Sequence, residues 1–241
     1  MAVVLVTGGN RGIGAACVGW FLANGDHVAT TYRSEPPPES PEGIDPERFR
    51  AVPCDVTDGE QVETAFAAIE EAWGPVEVLV ANAGITRDGL MLRMSEDAFT
   101  DVIDANLTGA FRVAKRAVTK MLRLHHGRII FLSSVGAYVG LPGQANYAAS
   151  KAGLVGLARA IAREVGSRQI TVNVVAPGLV ATDMTADLGQ DRLALMTSQV
   201  PLGRAGTVDD IAGVVGFLAS GAAGYITGAV VPVDGGLGMG L

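Results

Sequence analysis

The sequence predicts one doubly wound α/β domain, a parallel seven-stranded sheet with helices on both faces. Three observations carry that prediction. Short apolar, β-branched runs alternate with helical patterns from one end of the chain to the other. Those runs are near-continuous rather than alternating in polarity, which is how strands covered on both faces read. The 241 residues are 49% apolar and 18% charged, enough for a sizeable core, and no linker or internal repeat divides them.

The elements follow in order. VVLVT (3–7) is the first strand, and a helix over 11–24 ends at Gly25. HVATTY (27–32) is the second strand. SEPPPESPEGIDPE (34–47) is a polar, proline-rich loop, long for a strand connection and read as a surface insertion. FRAVPCDV (49–56) is the third strand, after which Thr57 and Glu60 have the spacing of a capping box opening a helix through Trp73. VEVLVANAG (76–84) is the fourth strand. A long helical pattern covers 95–124, and GRIIFLSS (127–134) is the fifth strand. A helix over about 147–165 precedes the sixth strand, ITVNVVAP (170–177). A flexible-looking segment, 178–203, leads to a helix over 208–220 and the seventh strand, AVVPVD (229–234).

Composition narrows the function. A net charge of −7 argues against general nucleic-acid binding, which needs a basic face. Cys17 and Cys54 lack metal-ligand spacing and read as small buried residues of a reducing compartment, so no metal is expected. The first residues, MAVVLVTGG, lack the charged start and apolar length of a signal peptide, and a cytoplasmic location is expected. The uncharged stretch 211–233 is long enough to span a bilayer. It holds five glycines and Pro232, however, and reads as a core helix, a turn and a buried strand.

TGGNRGIG (7–14) sits directly between the first strand and its helix. Gly8, Gly12 and Gly14 let the backbone approach a pyrophosphate, whose charge is met by free amides and the positive end of the helix. The end of the second strand usually carries an acid that binds the ribose 2′-hydroxyl of NAD. Here it reads Thr31-Tyr32-Arg33, and Arg11 lies in the glycine loop. Two guanidiniums fork onto a 2′-phosphate where an acid repels it, so the expected cofactor is NADP(H), with Glu35 the one nearby residue that opposes it. Asp55 and the run Asn82-Ala83-Gly84 close the third and fourth strands and so line the ligand crevice. Asp55 reads equally well as an acceptor for the adenine amine or as a turn former before Thr57.

QANYAASKAG (144–153) places Tyr147 and Lys151 four residues apart, on one face of a helix. Ser134 ends the fifth strand 13 residues before Tyr147, with Ser133 beside it, and Asn106 is a poor helix former inside a helical pattern. With these motifs the chain resembles the short-chain dehydrogenase/reductase family over its full length, through TGGNRGIG, NAG (82–84), Asn106, Ser134, YAASK (147–151) and PG (177–178).

The resemblance implies a Rossmann-type dinucleotide site. It adds Asn10, Ile13, Val56, Pro177 and Gly178 to the cofactor contacts, with Val180 at the nicotinamide pocket and Thr182 at its amide. It implies that Tyr147 gives a proton to a carbonyl oxygen, that Ser134 hydrogen-bonds the same oxygen, and that Lys151 binds the nicotinamide ribose. The lysine charge, with that of the oxidised nicotinamide, is expected to lower the Tyr147 pKa. Asn106 is expected to hold a water that relays protons to Lys151.

Longer stretches, 82–111, 143–153 and 231–241, resemble the branch of that family formed by bacterial 3-oxoacyl-acyl-carrier-protein reductases, most nearly its actinobacterial form. That implies NADPH-dependent reduction of a β-ketoacyl thioester on an acyl carrier protein, in a homotetramer. Carrier docking is expected on Lys120, Arg123, His125, His126, Arg128 and Arg168, or these residues merely solvate a helix end. Segment 178–203 is expected to be a substrate lid, with Met184, Leu188, Leu193, Leu195 and Met196 lining an acyl path or only packing the lid. The alternatives are an acetoacetyl-CoA reductase, a polyketide ketoreductase, a secondary alcohol dehydrogenase and a non-catalytic nucleotide-binding regulator.

Overall fold

The computed structural model describes residues 1–37, 44–182 and 189–239. Seven parallel strands, β1 (Val3–Thr7), β2 (His27–Tyr32), β3 (Phe49–Pro53), β4 (Val78–Ala81), β5 (Gly127–Leu132), β6 (Ile170–Pro177) and β7 (Val230–Val233), form one sheet. Their order is β3-β2-β1-β4-β5-β6-β7. The order reverses between β1 and β4, so a crevice opens beyond the carboxyl ends of those two strands. Leu5 is the shared register mark, opposite Ala29 on one side and Leu79 on the other.

The side-chain period of two splits each strand between two cores. Val4 and Val6 point to the face covered by α1 (Gly12–Ala23) and α8 (Val208–Ala219), where they meet Phe21, Leu22, Ile211 and Val215. Val3 and Leu5 point to the face covered by α2 (Gly59–Trp73), α4 (Gly109–Leu124) and α6 (Ala145–Val165), against Phe66, Ile69, Met121 and Leu154. Each such fully buried side chain contributes about 1.5–3 kcal/mol. Both faces being covered explains why the strands read as unbroken apolar runs.

The helices differ from the sequence reading at their ends. α2 starts at Gly59 and is capped by Asp58, which accepts from the Glu60 and Gln61 amides at 2.8 and 3.1 Å. Thr57 does not cap, because its hydroxyl donates to Asp55 Oδ1 at 2.7 Å. The pattern over 95–124 is two helices, α3 (Glu96–Ile103) and α4, joined by a π-helical turn at Asp104–Thr108. A one-turn helix, α5 (Gly136–Val139), fills part of a stretch given no element from the sequence, and α7 (Gln190–Ser198) lies in the segment read as flexible-looking. The uncharged stretch after Ile211 resolves into the rest of α8, a 3₁₀ turn and β7, and no helix among the described residues is long and apolar enough to cross a membrane.

Candidate active site

The crevice is a cavity of about 850 Å³ over the carboxyl ends of the strands. Its floor is the glycine loop. Gly8 and Gly12 have φ of +65° and +56°, in the left-handed region that L side chains rarely adopt. A Cβ on Gly14 would meet the Gly8 carbonyl oxygen and the Asn82 amide, so the start of α1 lies against its own loop only because nothing projects there.

Threonines hold this loop, though in the sequence they look like ordinary strand formers. Thr30 Oγ1 accepts from the Gly9 amide at 2.9 Å, and Thr31 Oγ1 accepts from Gly8 at 3.2 Å. Thr7 Oγ1 accepts from the amides of Asn82 and Ala83, both at 3.0 Å, while Asn82 Nδ2 donates to the carbonyls of Thr7 and Gly8. Asn82-Ala83-Gly84 therefore buckles the ends of β1 and β4 together across the switch point. These contacts spend their polar groups on the protein and leave the first amides of α1 to point at a ligand.

Every residue expected to touch the cofactor lines this one cavity: Gly8, Asn10, Arg11, Gly12, Ile13, Gly14 and Arg33, then Asp55, Val56, Asn82, Ala83 and Gly84, and finally Pro177, Gly178, Val180 and Thr182. Arg11 and Arg33 are exposed on its wall, and neither has an ion-pair partner among the described residues. Glu35 shares the wall, and its backbone carbonyl accepts from Asn10 Nδ2 at 3.3 Å. Asp55 does form the turn, accepting the amide and hydroxyl of Thr57 through Oδ1, and it also faces the cavity. An extended cavity, a glycine floor, free helix amides and unpaired guanidiniums fit a phosphorylated dinucleotide.

At the other end Ser134, Tyr147 and Lys151 meet on the same wall. Tyr147 is half-buried, and Ser134 lies close enough to lower the pKa of its phenol. Lys151 is 5% exposed. Its Nζ donates to the Leu132 carbonyl at 2.7 Å and lies 5.6 Å from the Tyr147 ring centroid. Burial pulls the lysine from an ordinary 10.5 down to about 8. Burial pushes the Tyr147 phenol up, and the Ser134 hydrogen bond only partly opposes it. The expected depression draws also on the charge of the oxidised nicotinamide, and the protein groups by themselves push the other way. The Lys151 ammonium is tied to a backbone carbonyl rather than to the phenol, so desolvation decides the direction.

Asn106 lies in the π-turn, buried behind the wall. Its Oδ1 accepts from the Ile85 amide at 2.7 Å, and its Nδ2 donates to Ile85 O at 3.0 Å and Ser150 Oγ at 3.1 Å. Both amide donors are spent on protein, so the side chain first of all holds the 84–85 turn. A Cβ at Gly84 would stand 2.9 Å from Asn106 Oδ1 and 3.6 Å from Lys151 Nζ, so both side chains lie against that glycine where only a hydrogen fits. Ser133 is not an alternative to Ser134: its hydroxyl turns inward and donates to the Lys151 carbonyl at 2.9 Å.

The sequence profile of the family described as enoyl-(acyl carrier protein) reductase matches residues 8–238. The chain belongs to the short-chain dehydrogenase/reductase family. It is 52% identical to 3-oxoacyl-[acyl-carrier-protein] reductase MabA of Mycobacterium tuberculosis, over 98% of this chain and 93% of that one. It is 50% identical to MabA of Mycobacterium avium, over 98% and 90%. It is 45% identical to 3-oxoacyl-[acyl-carrier-protein] reductase FabG of Escherichia coli, over 98% and 97%. The chain is thus a nicotinamide-dinucleotide-dependent oxidoreductase of that family, and Ser134, Tyr147 and Lys151 all line the crevice.

Two peripheral expectations need correction. Arg128 is 7% exposed, with its guanidinium bonded to the carbonyls of Gly127 and Gln169, so it cannot meet a carrier protein. Lys120 is committed to Glu70 at 3.8 Å. Arg123 is exposed, and Arg168 donates to a ring nitrogen of His125 at 2.9 Å. All three precede the amino ends of β5 and β6, a strand length of roughly 20 Å from the reacting groups at the other edge. The expected acyl lining also shifts. Met184 and Leu188 lie outside the described residues, and Leu193, Leu195 and Met196 are on α7 without lining the main cavity, Leu195 being 63% exposed.

Proposed function

We propose that the chain reduces a 3-oxoacyl thioester carried by acyl carrier protein to its 3-hydroxyacyl form, using NADPH. One observation carries the reading: Ser134, Tyr147 and Lys151 meet on the wall of the same cavity that the glycine loop floors, in a chain 45–52% identical to 3-oxoacyl reductases. The amides at the start of α1 hold the pyrophosphate, and Arg11 and Arg33 hold the 2′-phosphate. Lys151 takes the nicotinamide ribose. When bound, the nicotinamide supplies the hydride.

The remaining work belongs to this chain. Ser134 donates a hydrogen bond to the substrate carbonyl oxygen and orients it beside Tyr147. As the carbonyl carbon is reduced, negative charge gathers on that oxygen, and the Tyr147 hydroxyl proton moves onto it. A phenol held above its ordinary pKa is fully protonated at neutral pH, the right species for this direction. The Lys151 ammonium, still charged below about pH 8, stabilises the tyrosinate left behind. Asn106 holds the turn beside Lys151 and keeps the amine in place.

NADPH consumption with a panel of 3-oxoacyl thioesters of increasing length, on carrier protein and on CoA, tests the reading. Turnover of the 3-oxoacyl series is expected, faster on carrier protein. The family description names an enoyl reductase, so a 2-enoyl thioester belongs in the panel. Turnover of the enoyl substrate alone would replace this reading with that one.

A further inference from the structure

Asn146 directly precedes Tyr147, is 0% exposed, and shares the buried side of its helix with Ser150, Lys151 and the apolar residues that follow from Leu154 to Val165. A buried carboxamide costs stability unless its donors and acceptor are met. Here they are met in an unusual way. Nδ2 donates to the Arg87 carbonyl and to the Ala98 carbonyl, both at 2.9 Å, and Oδ1 accepts from the amide of Tyr147 at 2.8 Å. The N-cap residue of α6, Gln144, makes no side-chain cap. The Tyr147 amide, one of the orphan donors of the first turn, is therefore satisfied by its own neighbour rather than by a cap.

Arg87 belongs to the strand-to-helix connection after β4, and Ala98 to α3. Asn146 thus ties the start of α6 to two elements on the far side of the cleft from β5. Two outer bonds run in parallel with it: Gly89 N to Gly143 O at 2.8 Å, and Gln144 Nε2 to Asp88 Oδ2 at 2.8 Å. Segment 87–89 and segment 143–146 form a three-rung strap, with Asn146 the buried rung. From the other side, Lys151 is fixed one turn along by Leu132 and by Ser133. Between them Ser150 Oγ accepts from Asn106 Nδ2 at 3.1 Å and donates to the Tyr147 carbonyl at 2.7 Å, while Asn146 is the side chain that bonds the Tyr147 amide.

We propose that Asn146 is a positioning residue for the reaction, setting the height and tilt of Tyr147 over the cavity by clamping its backbone to the 87–89 connection and α3. The inference rests on the reductase reading given above. Misplacing a reacting group by an ångström costs about 100-fold in rate. Asn146→Ala is therefore expected to lower kcat by about 10- to 100-fold, while KM and the NADPH Kd stay within about threefold of wild type. Asn146→Ser keeps one short acceptor and should fall between the two.

The test measures kcat, KM and NADPH Kd for wild type, Asn146→Ala and Asn146→Ser, with amide hydrogen exchange over 143–150 on each. The proposal expects graded kcat and faster exchange at Tyr147 in the alanine variant. If Asn146→Ala does not fold, Asn146→Ser decides. A serine variant with wild-type kcat, or an alanine variant that loses NADPH binding in proportion to kcat, overturns the proposal. A wild-type protein that binds NADPH but turns over no thioester sinks the reductase reading instead, and the exchange comparison still judges the clamp.

Discussion

The two ends of the crevice treat positive charge in opposite ways. At the chemical end Lys151 is 5% exposed, bonded to a backbone carbonyl, and pulled down to about 8 by burial. At the glycine-loop end, where we propose that the 2′-phosphate binds, Arg11 and Arg33 are exposed and have no ion-pair partner among the described residues. The contrast follows from what each end must do. A binding charge waits in water for a dianion and gains little from burial. A reacting charge must hold one place and is made to feel its desolvation, which brings its protonation within reach of neutral pH.

The comparison is broken most severely at Tyr147. Tyr147→Phe removes the proton donor and should cut turnover by about 1,000-fold or more, the scale of a positioned general acid, while NADPH titration shows Kd within about twofold of wild type. Retained turnover would assign the proton to another group.

Arg33→Glu attacks the other end. It replaces a fork by a repelling charge and should raise the NADPH KM by about 30- to 100-fold and shift the preference toward NADH, with kcat little changed. Equal kcat/KM for the two cofactors in the wild-type enzyme would contradict the 2′-phosphate reading.

Lys151→Met separates stability from chemistry. The folded lysine binds its proton less tightly than the unfolded one, so below about pH 8 both states are charged and the folded protein bears the full penalty. That penalty is roughly 3 kcal/mol from the shift. Losing the donor to Leu132 returns about 1 kcal/mol, so the variant should be inactive yet more stable by roughly 2 kcal/mol at neutral pH. Wild-type stability should rise relative to it as pH climbs from about 8 toward 10.5. Denaturant midpoints of the two proteins across that range check the sign. In turnover, the wild-type kcat/KM should decline above about pH 8.

The smallest expected effect is at Glu35, which shares the phosphate wall. Glu35→Gln removes a repelling but exposed charge and should tighten NADPH by about two- to threefold, less at high salt.

Much of the fold could be read from residues alone, because strands buried on both faces must be apolar throughout and the glycine loop announces its turn. What could not be read was set by side chains choosing partners far along the chain. Thr57 fits a helix cap until Asp55 takes its hydroxyl. The pattern over 95–124 hides a π-turn, since one extra residue leaves the apolar spacing on both sides intact. Thr7, Thr30 and Thr31 pass for strand formers although their hydroxyls hold the glycine loop. Among the candidate site residues, Ser134, Tyr147 and Lys151 were singled out by the family resemblance, because a tyrosine and a lysine four apart also fit an ordinary helix turn. Arg128 was misread, because a charged residue before a strand looks like surface while its guanidinium folds back onto backbone carbonyls. Asn146 gave no signal, since its work is done by hydrogen bonds to residues 48 and 59 positions away.

The division of labour between the two ends is tested most directly by crossing Tyr147→Phe with Arg33→Glu and measuring NADPH Kd and 3-oxoacyl thioester turnover in the wild type, both singles and the double variant. The account predicts that the tyrosine change moves kcat alone, the arginine change moves cofactor binding alone, and the double variant carries the two effects independently. A single variant that moves both quantities by more than about tenfold would contradict it.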